Sequence, residues 1–279
     1  MKIGVISIAR KDSFFVRKWI EHYGKEFGRE NLFLNIHGHD GLPDVSLVDV
    51  NVWVHDRPQG TSRSEADRWA SGTQSQMTSM LFSKTYGYDL LIRVDIDEYL
   101  LADPSSGFSL KELLLQAEKP AYHALGLDMF DRPSSDGERF GAFSRAYSKP
   151  CIVTQPVTWA PGCHRVKRAK NVDLMDHLYL FHLALFSQNQ TRLRMLETYS
   201  SSGASFTNRL REREALFTDV ENAEVLDFET SKQRTKNELL DLGANNNRTG
   251  FLKEPNFSDG YFVKLPPELS AFVDRFDFT

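Results

Sequence analysis

Apolar residues recur along this chain at two spacings, and the alternation between them predicts its elements. Ile3–Ala9 is a continuous apolar run of buried-strand length. Phe14, Phe15, Trp19, Ile20 and Tyr23 then follow at helical spacing, so residues 13–23 read as a helix capped by Asp12 or Ser13. Residues 31–37 and 50–54 are two further strands, with the turn-rich His37-Gly38-His39-Asp40-Gly41 after the first. A long helix over 64–84 carries Trp69, Met77, Met80, Leu81 and Phe82, and a fourth strand covers 89–94. Strand, helix, strand, strand, helix, strand predicts an α/β fold with an open, mostly parallel sheet and helices on both faces.

Beyond the fourth strand the pattern predicts a helix at 109–117 and strands at 121–129, 151–154 and 178–183, with a polar, turn-rich loop at 131–139. From 188 the pattern turns helical and charged, over 192–199, 208–216 and 232–242, with a loop at 243–247 and an aromatic tail from 257. The organisation expected is an α/β domain over 1–187 and a helical C-terminal extension over 188–279 packed on it.

Ligands of open α/β sheets sit beyond the C-terminal ends of the strands. There, after Tyr88-Asp89-Leu90-Leu91-Ile92, stands Arg93-Val94-Asp95-Ile96-Asp97-Glu98. A buried carboxylate without a partner costs several kcal/mol, so three acids in an apolar run require cations or donors. A divalent metal on one or two carboxylates, its shell completed by phosphate oxygens, meets that need. Strand alternation would put Asp95 and Asp97 on one side and Glu98 on the other. The bland alternative is a solvated acidic loop paired with Arg93.

Composition changes this picture little. A formal charge of −4 over 279 residues gives no general drive toward nucleic acid or anionic membrane. Cys151 and Cys163 form no metal-type spacing or disulfide framework, and no run approaches the roughly 18 to 20 apolar residues of a membrane span. A soluble, cytoplasmic protein is the expectation.

The acidic run, Asp95-x-Asp97-Glu98 after an apolar strand, resembles the metal-binding motif of A-type glycosyltransferases. The opening Ala9-Arg10-Lys11-Asp12, through Phe14-Phe15 to Trp19-Ile20-Glu21-His22-Tyr23, resembles the first strand and helix of their family-two-like branch. Lys11-Asp12 stands where that branch often has Asn-Glu, and Glu21 follows the Trp instead of preceding it. Tyr147-x-Lys149-Pro150, Trp159-x-x-Gly162-x-His164 and Leu178-Tyr179-Leu180-x-His182-Leu183 extend the resemblance over about residues 1 to 185.

The resemblance implies a glycosyltransferase that moves a sugar from a nucleoside diphosphate sugar to the hydroxyl of a carbohydrate or glycoconjugate acceptor, with Mn2+ or Mg2+. It implies Asp97 as direct metal ligand and Asp95 on the metal or the nucleotide ribose. His182 and His164 are candidate nitrogen ligands, each expected to need an acceptor for its other ring nitrogen. Asp12 and Asp40 are placed like acids that hold base and ribose. Lys149, and Arg63 with Arg68 at helical spacing, are candidates for the diphosphate. Glu98 either orients a neighbouring base or is a structural ion-pair partner. Asp128 is the expected general base, with Asp131 next and Asp173 or Asp176 behind. A haloacid-dehalogenase-like phosphatase and a non-catalytic nucleotide-sugar-binding protein are the competing readings.

Overall fold

The first strand, β1 (Ile3–Ala9), is apolar on both faces because both are covered. Val5 points into a cluster with Phe15, Val16, Trp19, Ile20 and Tyr23 of helix α1 (Ser13–Phe27). Its neighbour Ile6 points the other way, into a cluster with Met77 and Leu81 of helix α2 (Arg63–Leu81). Helices thus lie on both faces. The computed structural model describes residues 1–56, 63–131, 137–145, 147–167, 173–187, 217–245 and 261–276, with single positions at 189, 191 and 193.

Strands β2 (Leu32–His37), β3 (Asn51–His55) and β4 (Leu90–Arg93) complete the parallel half in the order β4-β1-β2-β3. The α/β sheet predicted from the pattern is therefore present, and it is parallel throughout this half. The second half mixes directions. Strands β6 (Ala121–Phe130), β7 (Phe140–Phe143) and β8 (Pro150–Val153) run antiparallel, and β8 joins the halves through Leu91 opposite Val153. Strand β9 (Leu174–His182) pairs parallel with β6 and antiparallel with a short strand β5 (Glu98–Ala102). Helix α3 (Leu110–Leu114) opens on a capping box formed by Ser109 and Glu112.

The C-terminal segment adds more than helices. Strand β10 (Tyr261–Lys264) extends the sheet beside β7, and Leu269, Phe272 and Val273 of the last helix, α5 (Pro267–Val273), enter the main core. Helix α4 (Phe228–Asn245) is tied to the β5–β9 pair by Lys232, whose Nζ lies 3.0 Å from Asp103 Oδ2, while the Tyr179 hydroxyl donates to the same oxygen at 2.9 Å. Apart from Leu193, the helices predicted over 192–199 and 208–216 lie outside the described residues, as do 132–136 of the predicted 131–139 loop. No helix among the described residues is long and apolar enough to cross a membrane.

Two histidines are built into this core as neutral rings. His22 donates Nε2–H to the Leu100 carbonyl at 3.1 Å among Tyr23, Tyr99 and Phe272, and His123 lies against β8. Burial pushes each pKa down to about 4. Between pH 6.5 and 4 the unfolded chain therefore binds protons that the folded chain refuses, so their stabilisation is full above pH 6.5 and is lost as pH falls toward 4. Each contributes on the order of 3 kcal/mol over that window. Urea unfolding at pH 7 and pH 4.5 should show a His123→Phe variant losing less stability on acidification than the wild type. Equal losses would contradict the assignment.

Candidate active site

Because β1, β2, β3 and β4 run parallel, their C-terminal ends share one rim. At the β1 and β2 ends, Arg10 donates to the His37 carbonyl at 3.0 Å and pairs with Asp40 at 2.6 Å. The guanidinium holds the exposed Asp40 carboxyl below its usual range. The Trp69 ring of α2 lies 4.6 Å from the His37 ring. Asp12 caps α1, accepting from the Phe15 amide at 3.4 Å. Arg68 is exposed on α2; the Arg63 side chain lies outside what is described.

The β4 end carries the acidic run, and its geometry differs from the alternation expected. The sheet ends at Arg93; residues 94–97 leave it, and the Glu98 amide closes a turn on the Asp95 carbonyl at 3.0 Å before β5 begins. The turn abolishes the strand period, so Asp95 and Glu98 face one another instead of opposite sides. Between them lies Lys149, whose Nζ is 3.0 Å from Asp95 Oδ2 and 2.7 Å from Glu98 Oε1. Arg93 Nη2 takes Asp95 Oδ1 at 2.7 Å, and the Asp95 amide donates to Glu98 Oε2 at 2.8 Å. Burial opposes the charge on Asp95, but Arg93 and Lys149 outweigh it and hold the carboxyl well below its usual pKa. Burial likewise works against the Lys149 ammonium, yet Asp95 and Glu98 lift it to about 12. Glu98 is raised by its own burial.

Asp97 is presented on the far side of that turn. Its carbonyl accepts from the Leu183 amide at 2.9 Å, which fixes it beside the end of β9. Its Oδ2 lies 3.7 Å from His182 Nε2, and both side chains are buried to within a few per cent. The sheet supplies the rest: Glu98, His182 and Asp128 are register partners across β5, β9 and β6. His182 Nδ1 meets Asp128 Oδ1 at 2.5 Å, leaving Nε2 as the nitrogen turned toward Asp97. Burial lowers the affinity of this imidazole for protons, but Asp128 and Asp97 outweigh it and raise its pKa. The Tyr147 ring stacks on His182 with centroids 4.1 Å apart, and His164 lies 6.3 Å from Tyr147.

Gly126 makes this assembly possible. A Cβ at that position would lie 2.4 Å from the Tyr147 carbonyl carbon and 2.6 Å from the Ser148 amide nitrogen. Ser144, Tyr147 and Ser148 are laid directly on β6: the Ser144 amide donates to the Gly126 carbonyl at 3.0 Å, and the Gly126 amide donates to Ser148 Oγ at 2.9 Å. That contact delivers both Tyr147 and Lys149. Nothing but hydrogen fits at Gly126.

The structure thus brings Asp95, Asp97, Glu98, Asp128, Lys149 and His182 together. Asp128 lies within β6 and is buried against His182. Asp131, just past the strand, is half-exposed, with Arg139 at 3.7 Å. Asp173 and Asp176 lie at the opposite end of β9 from His182, paired with Lys119 and Lys236. Among the described residues, no group of three or more His, Cys, Asp and Glu side chains converges as a metal cage.

No protein-family model and no curated protein matches the chain. Among solved structures, the mannose-1-phosphate geranyltransferase of Thermus thermophilus aligns with a TM-score of 0.31 and 11% identity, over 86% of this chain and 68% of that one. So distant a likeness carries no functional argument.

The pair formed by Asp97 and His182 suits a divalent ion. Their 3.7 Å separation is too long for a hydrogen bond. Two ligands each about 2.1 Å from one ion stand roughly 3.0 Å apart at a right angle and about 4.2 Å apart when opposed. The separation falls inside that span. Asp128 behind the ring supplies the acceptor that a ligating imidazole requires for its other nitrogen. Two protein ligands would leave the remaining positions of such an ion to water and phosphate oxygens.

Proposed function

We propose that the chain is a metal-dependent glycosyltransferase that moves a sugar from a nucleoside diphosphate sugar to an acceptor hydroxyl, in the synthesis of a polysaccharide or glycoconjugate. The observation that carries this reading is the carboxylate of Asp97 facing the Nε2 of His182, with Asp128 holding the ring from behind, at the ligand-binding rim of an α/β sheet. Asp97 and His182 would hold Mn2+ or Mg2+. The ion supplies the positive charge that a departing diphosphate needs as its bond to the sugar breaks.

The chain's own residues divide the remaining work. Asp128 fixes the tautomer and orientation of His182, so it serves as a positioning residue and not as the proton acceptor. Asp131, half-exposed three residues later, takes the proton of the attacking hydroxyl. Tyr147, packed on His182, shields the pair from water on one side. Arg10 and Asp40 at the neighbouring strand ends offer a donor and an acceptor to the nucleoside. A phosphatase acting through Asp95 as nucleophile is disfavoured, because both oxygens of Asp95 are engaged by Arg93 and Lys149.

Incubation with a panel of nucleoside diphosphate sugars, with and without manganese, tests the proposal. Metal-dependent release of nucleoside diphosphate from at least one donor is expected. Donor binding without turnover across the panel would favour a binding protein instead.

A further inference from the structure

We infer that Lys149 is a positioning residue, which sets the turn that presents Asp97 and does not touch phosphate. The inference rests on the transferase reading, in that Asp97 is taken to hold the ion. Lys149 is 1% exposed, although it is a lysine on a segment next to the rim. Its ammonium is committed on two sides, to Asp95 Oδ2 and Glu98 Oε1. The other oxygen of Asp95 belongs to Arg93, and the other oxygen of Glu98 accepts from the Asp95 amide. These contacts close a ring around the turn, from Lys149 through Asp95 and its amide to Glu98 and back, with Arg93 bound to Asp95 from outside. Asp95 Oδ1, Asp95 Oδ2 and Glu98 Oε2 are hydrogen-bonded, and Glu98 Oε1 is held by its ion pair with Lys149.

Asp97 is the one acid of the run outside this ring. Its position is set from two sides: the ring fixes the turn that contains it, and the Leu183 amide fixes its carbonyl against β9. The ammonium keeps a third N–H, but Lys149 is buried and that donor has no open path to a phosphate. To reach one, the side chain would have to withdraw and leave Asp95 and Glu98 facing each other across the turn with no cation between them. Like charges that close and that buried repel strongly. Loss of the Lys149 charge therefore opens the turn and draws Asp97 away from His182. Loss of the Glu98 charge as well removes the repulsion and restores the turn.

The test is manganese binding by the full chain without donor, read from the free-ion electron paramagnetic resonance signal, with thermal melting run alongside. Wild-type protein binds manganese if the transferase reading holds; absence of binding in the wild type overturns that reading, and the inference with it, before any variant is compared. In Lys149→Met, manganese affinity falls about 10- to 100-fold, the usual cost of losing a residue that positions a metal ligand. In the Lys149→Met, Glu98→Gln double variant most of that affinity returns. A merely structural role would lower the melting temperature of both variants without such a recovery in affinity. Should the single variant fail to fold, recovery of both folding and manganese affinity in the double variant carries the inference. Undiminished manganese binding in Lys149→Met, with a raised donor KM, overturns the inference and assigns the lysine to phosphate. So does a double variant as weak as the single one.

Discussion

Replacing Asp97 with Asn is expected to lower kcat by about 10³-fold or more, equivalent to about 4 kcal/mol of transition-state stabilisation. The amide keeps the volume of the carboxylate and can stay packed beside His182, so folding should survive. What is lost is the negative charge that faces His182 Nε2 at 3.7 Å. His182 cannot compensate, because its Nδ1 is committed to Asp128. Turnover with the responding donor and manganese measures the effect, and circular dichroism checks the fold. Activity within a few-fold of wild type would remove Asp97 from the site.

The second large effect is on stability. Gly126→Ala places a methyl group 2.4 Å from the Tyr147 carbonyl carbon and 2.6 Å from the Ser148 amide nitrogen, and neither backbone atom can swing aside as a side-chain tip would. Forcing Tyr147 and Ser148 off β6 is expected to cost about 3 kcal/mol, a fall in Tm of roughly 6 to 12 °C. Because the same stretch carries Tyr147 and Lys149, manganese affinity of the protein that remains folded should fall as well. Gly72→Ala on α2 is the matched control: its Cβ meets no heavy atom within 4 Å. A helix-interior glycine exchanged for alanine gains about 0.5 to 1 kcal/mol. Two variants with the same Tm would contradict the close approach at Gly126.

Much of this architecture is legible from local pattern. The continuous apolar runs of β1, β2 and β4 and the helical spacing of Phe15, Trp19 and Tyr23 are one-dimensional signals, and the parallel half of the sheet follows from them. The antiparallel half is less legible because β5 and β7, five and four residues long, are too short for a period to show, whereas β8 lies where the apolar run at 151–154 places a strand. The site divides in the same way. The acid cluster at a strand end stands out in sequence, but the turn within it does not. Asp95 and Glu98 face one cation only because the Glu98 amide bonds the Asp95 carbonyl.

The pairing of Asp128 with His182 joins residues 54 positions apart through the parallel register of β6 and β9, which no local spacing encodes. Lys149 reads as a diphosphate contact in sequence. Its burial depends on β8 lying beside β4 and on the segment crossing Gly126. One signal for that crossing was available: a glycine inside the apolar run Ala124-Leu125-Gly126-Leu127 marks a place where another backbone comes close.

The most direct test of the central claim is a crystal of the protein soaked with manganese and a nucleoside diphosphate, read by anomalous scattering. The account predicts one strong peak within coordination distance of both the Asp97 carboxylate and His182 Nε2, with diphosphate oxygens on its open side and Lys149 still between Asp95 and Glu98. A peak held by other residues, or diphosphate bound with no ion between Asp97 and His182, would contradict it.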